Sequence, residues 1–271
     1  MKFGINIINF GPHASPESLR ADVQWSEDVE FYLAMVSDHV AVTPDVARLY
    51  PAPFYEPFTT LAWLAGLTSR IELGTTVVIL PYRHPLLVAR IAANLDQFSG
   101  GRLVFGVGVG WARAEFDALG VPFDRRGQLT DDYLEVLRAH WTQDVAAVDN
   151  RSLQFRDVDT RPLPVRRPHP PIWVGGNSTA AIRRASRYGE GPRPLQQCLR
   201  LRERRRERLL AQHVLACRER GGSNRSGLVG WSSDDHASPP PAACGNRHRT
   251  AAHPARRRPP RQGKRRCCTL R

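Results

Sequence analysis

Several things are missing from this chain, and they are missing unevenly. Residues 1–191 contain no cysteine, while residues 192–271 contain no isoleucine, phenylalanine, tyrosine or methionine and only one aromatic residue, Trp231. Nowhere does an apolar run approach the roughly 18 residues needed to span a bilayer; Leu103 to Val109 is typical of the longest. The opening Met1-Lys2-Phe3-Gly4-Ile5-Asn6 lacks the apolar stretch of a signal peptide and reads as a first strand. These absences argue against a membrane or secreted protein and point to the cytoplasm.

The charge is equally uneven. The chain has 271 residues and a net charge of +13, but residues 1–191 carry 19 Lys+Arg against 21 Asp+Glu, a net of −2, whereas residues 192–271 carry 20 against 5, a net of +15. All five cysteines (Cys198, Cys217, Cys244, Cys267, Cys268) also lie in the second part. The whole-chain composition describes neither part, and two regions are expected, 1–191 and 192–271.

What is present in the first region is the rhythm of a parallel α/β fold. Strands are expected at Lys2–Ile8, Tyr32–Ser37, Ile71–Leu80, Arg102–Gly108 and Pro171–Gly175, dense in Val, Ile and Leu as in strands covered on both faces. Helices are expected at Glu17–Glu30, Pro57–Thr68, Leu86–Phe98, Thr130–Trp141 and Ser178–Tyr188. Leu87, Ile91, Leu95 and Phe98 form a helical stripe, and Ser15-Pro16 is a cap and first-turn pair. Residues 142–170 read as an excursion before the fifth strand.

In such folds the chemistry sits at the C-terminal ends of the strands. Ser37-Asp38-His39 ends the second strand, Gly74-Thr75-Thr76 interrupts the third, and Gly175-Gly176-Asn177-Ser178 joins the fifth to a helix. The last block suits an anion, because glycines let backbone approach a ligand and a helix start offers free N–H groups; a tight strand-to-helix turn has the same appearance. His39 is open to three readings: an acid/base, a metal ligand or a satisfied structural histidine. A lone Asp-His pair without further His or Cys disfavours the metal, and none is expected. Gly106-Val107-Gly108-Val109-Gly110 lacks the third glycine of a dinucleotide fingerprint, since Trp111 follows, and no acidic residue stands about 20 positions on in a second strand. Its glycines would instead admit a flat ring or a neighbouring backbone.

Taken together, these blocks resemble the luciferase-like monooxygenase superfamily, in particular its actinobacterial branch of deazaflavin-dependent oxidoreductases. The likeness rests on Val36-Ser37-Asp38-His39-Val40, Arg70 to Thr75 leading to Arg83-His84-Pro85, Ser99-Gly100-Gly101-Arg102-Leu103, Gly106 to Trp111 with Glu115-Phe116, and Pro170 to Gly176 followed by Tyr188-Gly189-Glu190-Gly191. One departure lies between the first helix and second strand, where a glycine is usual and Phe31 or Tyr32 stands. The resemblance implies an eight-stranded (β/α) TIM barrel binding coenzyme F420, or alternatively FMN, across the C-terminal strand ends. It implies Asp38 and His39 beside the ring, with His39 positioning substrate or moving a proton. It implies a bulge at Thr76-Val77, with a non-prolyl cis peptide, backing the ring, with Thr75 and Gly108 also among the cofactor-binding residues. It further implies Trp111 and Glu115 at the ring edge or substrate side, and Gly175, Gly176, Asn177 and Ser178 holding the coenzyme phosphate. Trp111 as a packing residue and Glu115 as a helix-start charge are the plainer alternatives. Catalysis would then fall to His39, Asp38 and Glu115, acting on a small-molecule substrate. A deazaflavin carries hydride, whereas reduced FMN also activates oxygen, so the cofactor decides the reaction. Family members commonly form homodimers.

The resemblance stops near Gly191. Where the family continues with a Trp-x-Pro segment and three more strand–helix units, Pro192-Arg193-Pro194 follows. The residues that remain are those GC-rich codons give out of frame, and residues 192–271 read as a frameshift product, leaving the barrel incomplete and the activity of this chain doubtful. The rival reading is a genuine basic tail that binds nucleic acid through Arg200–Arg208 and Arg256–Arg266, although Trp231 alone offers little for base stacking. No Cys-x-x-Cys pair supports a zinc site there.

Overall fold

The structure, a computed structural model, describes residues 3–189. The expectations for residues 192–271 (frameshift product, basic blocks, cysteine cluster) lie outside the described residues.

The chain runs β1 (Gly4–Asn6), α1 (Pro16–Asp28), β2 (Leu33–Val36), α2 (Pro44–Ala47), α3 (Pro57–Ala65), β3 (Glu72–Thr75), β4 (Val78–Ile79), α4 (Pro85–Phe98), β5 (Leu103–Gly108), α5 (Arg113–Ala118), α6 (Arg126–Thr142), β6 (Val145–Asp149), β7 (Gln154–Asp159), β8 (Ile172–Val174) and α7 (Thr179–Tyr188). The parallel strands lie side by side in chain order: β1 pairs β2, β2 pairs β3, β3 and its continuation β4 pair β5, and β5 pairs β8. This is the sequential parallel order of a (β/α) barrel wall. Among the described residues, the outer edges of β1 and β8 carry no further strand.

The strand residues divide by the two-residue period of a pleated strand. Ala34, Val36, Leu73, Leu103, Phe105, Val107, Ile172 and Val174 point to the helices and join Leu19, Val23, Leu61, Leu64, Ala89, Leu134 and Trp141 in one core. Their neighbours Leu33, Met35 and Val104 face the other way, with Tyr32, Val77 and Trp173 packed against them. Both faces are apolar, so the strands read as continuous Val/Ile/Leu runs. Trp141 fixes α6 to this core: it is fully buried, sits edge-on to Phe105 at 5.3 Å between ring centres, and its Nε1–H donates to the Ala89 carbonyl at 3.0 Å.

Three differences from the sequence reading have physical causes. The expected strand Ile71–Leu80 is two strands. Leu73 and Gly74 lie opposite Leu103 and Val104, whereas Val78 and Ile79 lie opposite Val107 and Gly108, so β3–β4 holds one residue more than β5 over the same length. That extra residue is a bulge, and the Thr76–Val77 peptide within it is cis. The 142–170 excursion contains an antiparallel hairpin, β6–β7, whose strands are largely exposed and whose apolar residues, Val145 to Val148 and then Phe155 and Val158, follow no two-residue period. Its turn is closed by Asn150, whose Oδ1 accepts from the amides of Ser152 (3.1 Å) and Leu153 (3.0 Å). The segment after it is tied to α4: Arg90 donates to the carbonyls of Asp159 and Thr160, both at 2.8 Å, and the Arg166 amide donates to Asp96 Oδ2 at 2.9 Å. Finally, between α1 and β2, where Phe31 or Tyr32 stands in place of the usual glycine, the left-handed conformation falls instead on the preceding residue, Glu30, with φ of 63°. A side chain there costs about 1–2 kcal/mol.

Candidate active site at the C-terminal strand ends

The rim of the sheet is assembled by long-range hydrogen bonds. Asn9, after β1, clamps the end of β2: its Nδ2 donates to the Ser37 carbonyl and its Oδ1 accepts from the Ser37 amide, both at 2.9 Å. The next residue, Asp38, is buried, and both of its oxygens are committed. Oδ2 accepts from the Ile79 amide and from Arg83, Oδ1 accepts from Arg83 again, all at 2.8 Å. Burial pushes the Asp38 carboxyl upward, against the pull of the Arg83 guanidinium. Arg83 also reaches Glu56 at 2.9 Å and lies over the Phe58 ring. Asp38 thus anchors β4 to β2 through a bidentate pair, a planar geometry that arginine alone supplies.

His39 and Glu115, 76 residues apart in sequence, meet at 2.6 Å between Nδ1 and Oε2. Glu115 is wholly buried and accepts three more bonds: from the Val40 amide (2.7 Å) and Ala41 amide (3.0 Å) at Oε1, and from the Tyr82 hydroxyl (2.9 Å) at Oε2. Burial alone would raise this carboxyl. The His39 bond, the Val40 amide and Tyr82 together outweigh it and hold Glu115 below the ordinary carboxylate range. With its carboxyl held low, Glu115 is an acceptor at neutral pH, and in that state the hydrogen of the short contact lies on His39 Nδ1. The Nε2 side of the ring then has no protein partner among the described residues, which is the arrangement of an oriented base. The ring is walled by Tyr50 (4.8 Å), Phe54 (5.6 Å) and Trp111 (5.9 Å), and Trp111 itself is 45% exposed.

The glycines of β5 serve the bulge. A Cβ on Gly106 would stand 1.9 Å from the Thr75 carbonyl oxygen, one on Gly108 2.4 Å from Val77 Cγ2, and one on Gly175 2.9 Å from Val77 Cγ1. Of the two readings, ring or neighbouring backbone, the geometry places the bulge itself against Gly106 and Gly108. Thr75 is buried, its hydroxyl donating to the Gly106 carbonyl at 2.6 Å, while the Thr76 hydroxyl donates to Asn6 Oδ1 at 2.9 Å. Val77 stays partly exposed on the inner face of the sheet. Gly175 to Ser178 lead from β8 into α7. Gly176 holds φ of 108°, open only to glycine, and Ser178 Oγ accepts from the Ala181 amide at 3.2 Å as the N-cap. Asn177 is exposed beside it. Arg184 secures α7 to α6 by two bonds to Asp131 (2.6 and 3.1 Å) and one to the Gly127 carbonyl (2.9 Å).

Asp38, His39, Thr75–Val77, Gly108, Trp111 and Glu115 therefore gather around the ends of β2, β4 and β5. The Gly175–Ser178 turn is joined to them through β5, the Gly175 amide donating to the Val107 carbonyl at 2.8 Å. Tyr82, Arg83 as the partner of Asp38, Asn9, Tyr50 and Phe54 went unassigned from sequence. Arg83 was visible within Arg-His-Pro, but only the fold shows what it bonds. Among the described residues no three His, Cys, Asp or Glu side chains form a metal-binding group, and no helix is long and apolar enough to cross a membrane.

Comparison with known proteins converges on one family. A family model described as luciferase-like monooxygenase matches residues 1–216, which extends past the change of composition near Gly191. The FMNH(2)-dependent dimethylsulfone monooxygenase of Pseudomonas putida is 34% identical over 199 residues, covering 70% of this chain and 54% of that protein. An uncharacterised protein of Mycobacterium tuberculosis is 41% identical over 125 residues, 46% of this chain and 44% of its own length. The chain thus spans about half the length of these curated relatives. Among solved structures, the monooxygenase RslO1 from Streptomyces bottropensis superposes with a TM-score of 0.60 at 28% identity, over 69% of this chain and 57% of that one. The coenzyme F420 dependent tetrahydromethanopterin reductase of Methanopyrus kandleri shares the fold with a TM-score of 0.57 at 22% identity, over 70% and 54%. With its sequential parallel strands, its bulge at Thr76–Val77 and these matches, the chain belongs to the luciferase-like monooxygenase family, and its described residues form an incomplete portion of that family's α/β barrel.

Proposed function

We propose that this chain carries a two-electron oxidoreductase site that holds the deazaflavin of coenzyme F420 and serves hydride transfer to or from a small organic substrate. One observation carries this: His39 is oriented by an ionised, fully bonded Glu115, keeps Nε2 unpartnered, and stands on the same rim as a glycine-rich, capped helix start. The residues fit such a cofactor. Val77 offers an apolar surface on the inner face, and the first N–H groups of α7, which have no intrahelical acceptors, suit a phosphate beside Gly176 and Asn177. When bound, the deazaflavin would supply the hydride chemistry. The protein's part is to hold and orient. His39 Nε2 accepts or returns a proton at the substrate, Glu115 keeps the imidazole in one tautomer, and Trp111, Tyr50 and Phe54 keep water from it. Asp38 acts at one remove, by holding β4 and Arg83 in place.

A second reading, reduced FMN with oxygen insertion, is favoured by the 34% identity to an FMNH(2)-dependent enzyme. Titrating the full chain with F420 and with FMN, followed by ring fluorescence, separates them. Saturable binding of F420 in preference to FMN supports the first reading, the reverse supports the second, and binding of neither overturns both. For whichever cofactor binds, His39→Gln should lower turnover by roughly 10²–10⁴-fold while binding persists. We also propose that residues 192–271 arise from a shifted frame. Genomic DNA read across the codons for Tyr188 to Leu195 tests this: another frame encoding Trp-x-Pro and further strand–helix units supports it, and no such frame refutes it.

A further inference from the structure

We propose that Tyr82 is the residue that sets the basicity of His39, acting through Glu115 as a positioning residue. This rests on the proposed proton-handling role of His39, but its structural content stands independently. Tyr82 ends the turn between β4 and α4, and its hydroxyl donates at 2.9 Å to Glu115 Oε2, the same oxygen that takes the His39 bond at 2.6 Å. The other carboxylate oxygen is already taken by two backbone amides. Tyr82 is therefore the only side chain besides His39 that shares this carboxylate among the described residues. It is buried, and its ring is held independently, edge-on to Phe116 at 4.7 Å.

The electrostatic consequence is direct. A donor on Oε2 draws off part of the carboxylate charge that would otherwise stabilise a protonated His39. The remaining charged groups nearby are accounted for: Asp38 is paired with Arg83, and Asp45 accepts from Thr43. The other walls of the histidine, Tyr50, Phe54 and Trp111, carry no charge at neutral pH. Tyr82 itself is kept un-ionised, since burial and then the Glu115 charge both push its phenol upward. It can serve only as a donor to Glu115.

The test needs no cofactor. The full chain is labelled with 15N-histidine, the His39 signals are assigned by their loss in His39→Gln, and the titration midpoint is followed by NMR in wild type and Tyr82→Phe. The phenylalanine keeps the ring on Phe116 and removes only the hydroxyl. The expected result is a His39 midpoint raised by roughly half a pH unit or more, with the Nδ1–H tautomer retained. A rise smaller than roughly half a pH unit, or a midpoint that falls, would overturn the proposal. Should Tyr82→Phe not fold, replacing Tyr82 with 3-fluorotyrosine, a stronger donor, should move the midpoint down; no movement overturns the proposal equally. A failed cofactor titration would count against the proposed function while leaving this result intact, so the two can fail separately.

Discussion

The two ends of the sheet solve the problem of polar groups in opposite ways. Around β2, β4 and β5 every carboxylate oxygen of the site is already used: Asp38 by Arg83 and Ile79, Glu115 by His39, Tyr82 and two amides. At β8 and α7 the Gly175–Ser178 turn presents backbone, one cap and an exposed Asn177. The first end is rigid because leaving any buried member unpaired is expensive. A site that holds a histidine in one tautomer belongs at the first end, and a site that accepts an anion from solution belongs at the second.

The comparison can be broken most forcefully at Glu115. Glu115→Ala strands an imidazole N–H, a phenol and two amides, and should lower unfolding stability by about 4 kcal/mol in urea titration. Its pH dependence follows from its depressed folded value. The stability it contributes is present above the unfolded value of 4.5 and is lost as pH falls through the lower folded value. Glu115→Gln should therefore flatten the loss of stability below about pH 4.5. Gly106→Ala drives a Cβ onto the Thr75 carbonyl, backbone that cannot swing away, and should cost about 3 kcal/mol or more while disrupting the bulge.

His140 gives a control away from both ends. It is buried in α6 with Nδ1 unpartnered, and burial, then Arg90, push it down to about 4. The unfolded chain takes up the proton first, so stability should fall by about 2–3 kcal/mol between pH 6.5 and 4, and His140→Leu should remove that slope. Ser178→Ala tests the open end: loss of the cap should cost about 1 kcal/mol and weaken phosphate-bearing ligands without moving the His39 titration. The smallest change is Glu30→Gly, which should raise stability by about 1 kcal/mol by relieving the left-handed φ, read as a higher thermal midpoint.

Much of the site was legible because its residues stand at strand ends. Ser37-Asp38-His39, Thr75-Thr76 and Gly175–Ser178 each follow an apolar run, and a parallel sheet carries all such ends to one rim. What could not be read were the partnerships. Nothing local distinguishes Asp38, whose two oxygens are consumed by a residue 45 positions on, from His39, whose Nε2 remains without a partner. The hairpin β6–β7 was missed because exposed strands lack an apolar period, whereas the bulge that divides β3 from β4 at Thr76–Val77 was expected only through the family resemblance, because Thr76 and Val77 are ordinary strand residues.

The sequence by itself determined the α/β class, most of the parallel strands and the positions from which chemistry could arise, since periodicity and turn residues act over a few neighbours. The tertiary structure alone decided which glycines yield to Val77 and the Thr75 carbonyl, which carboxylate staples the fold and which orients the histidine. Those outcomes depend on distances between residues 31 to 98 positions apart, and only assembly of the parallel sheet brings them into contact.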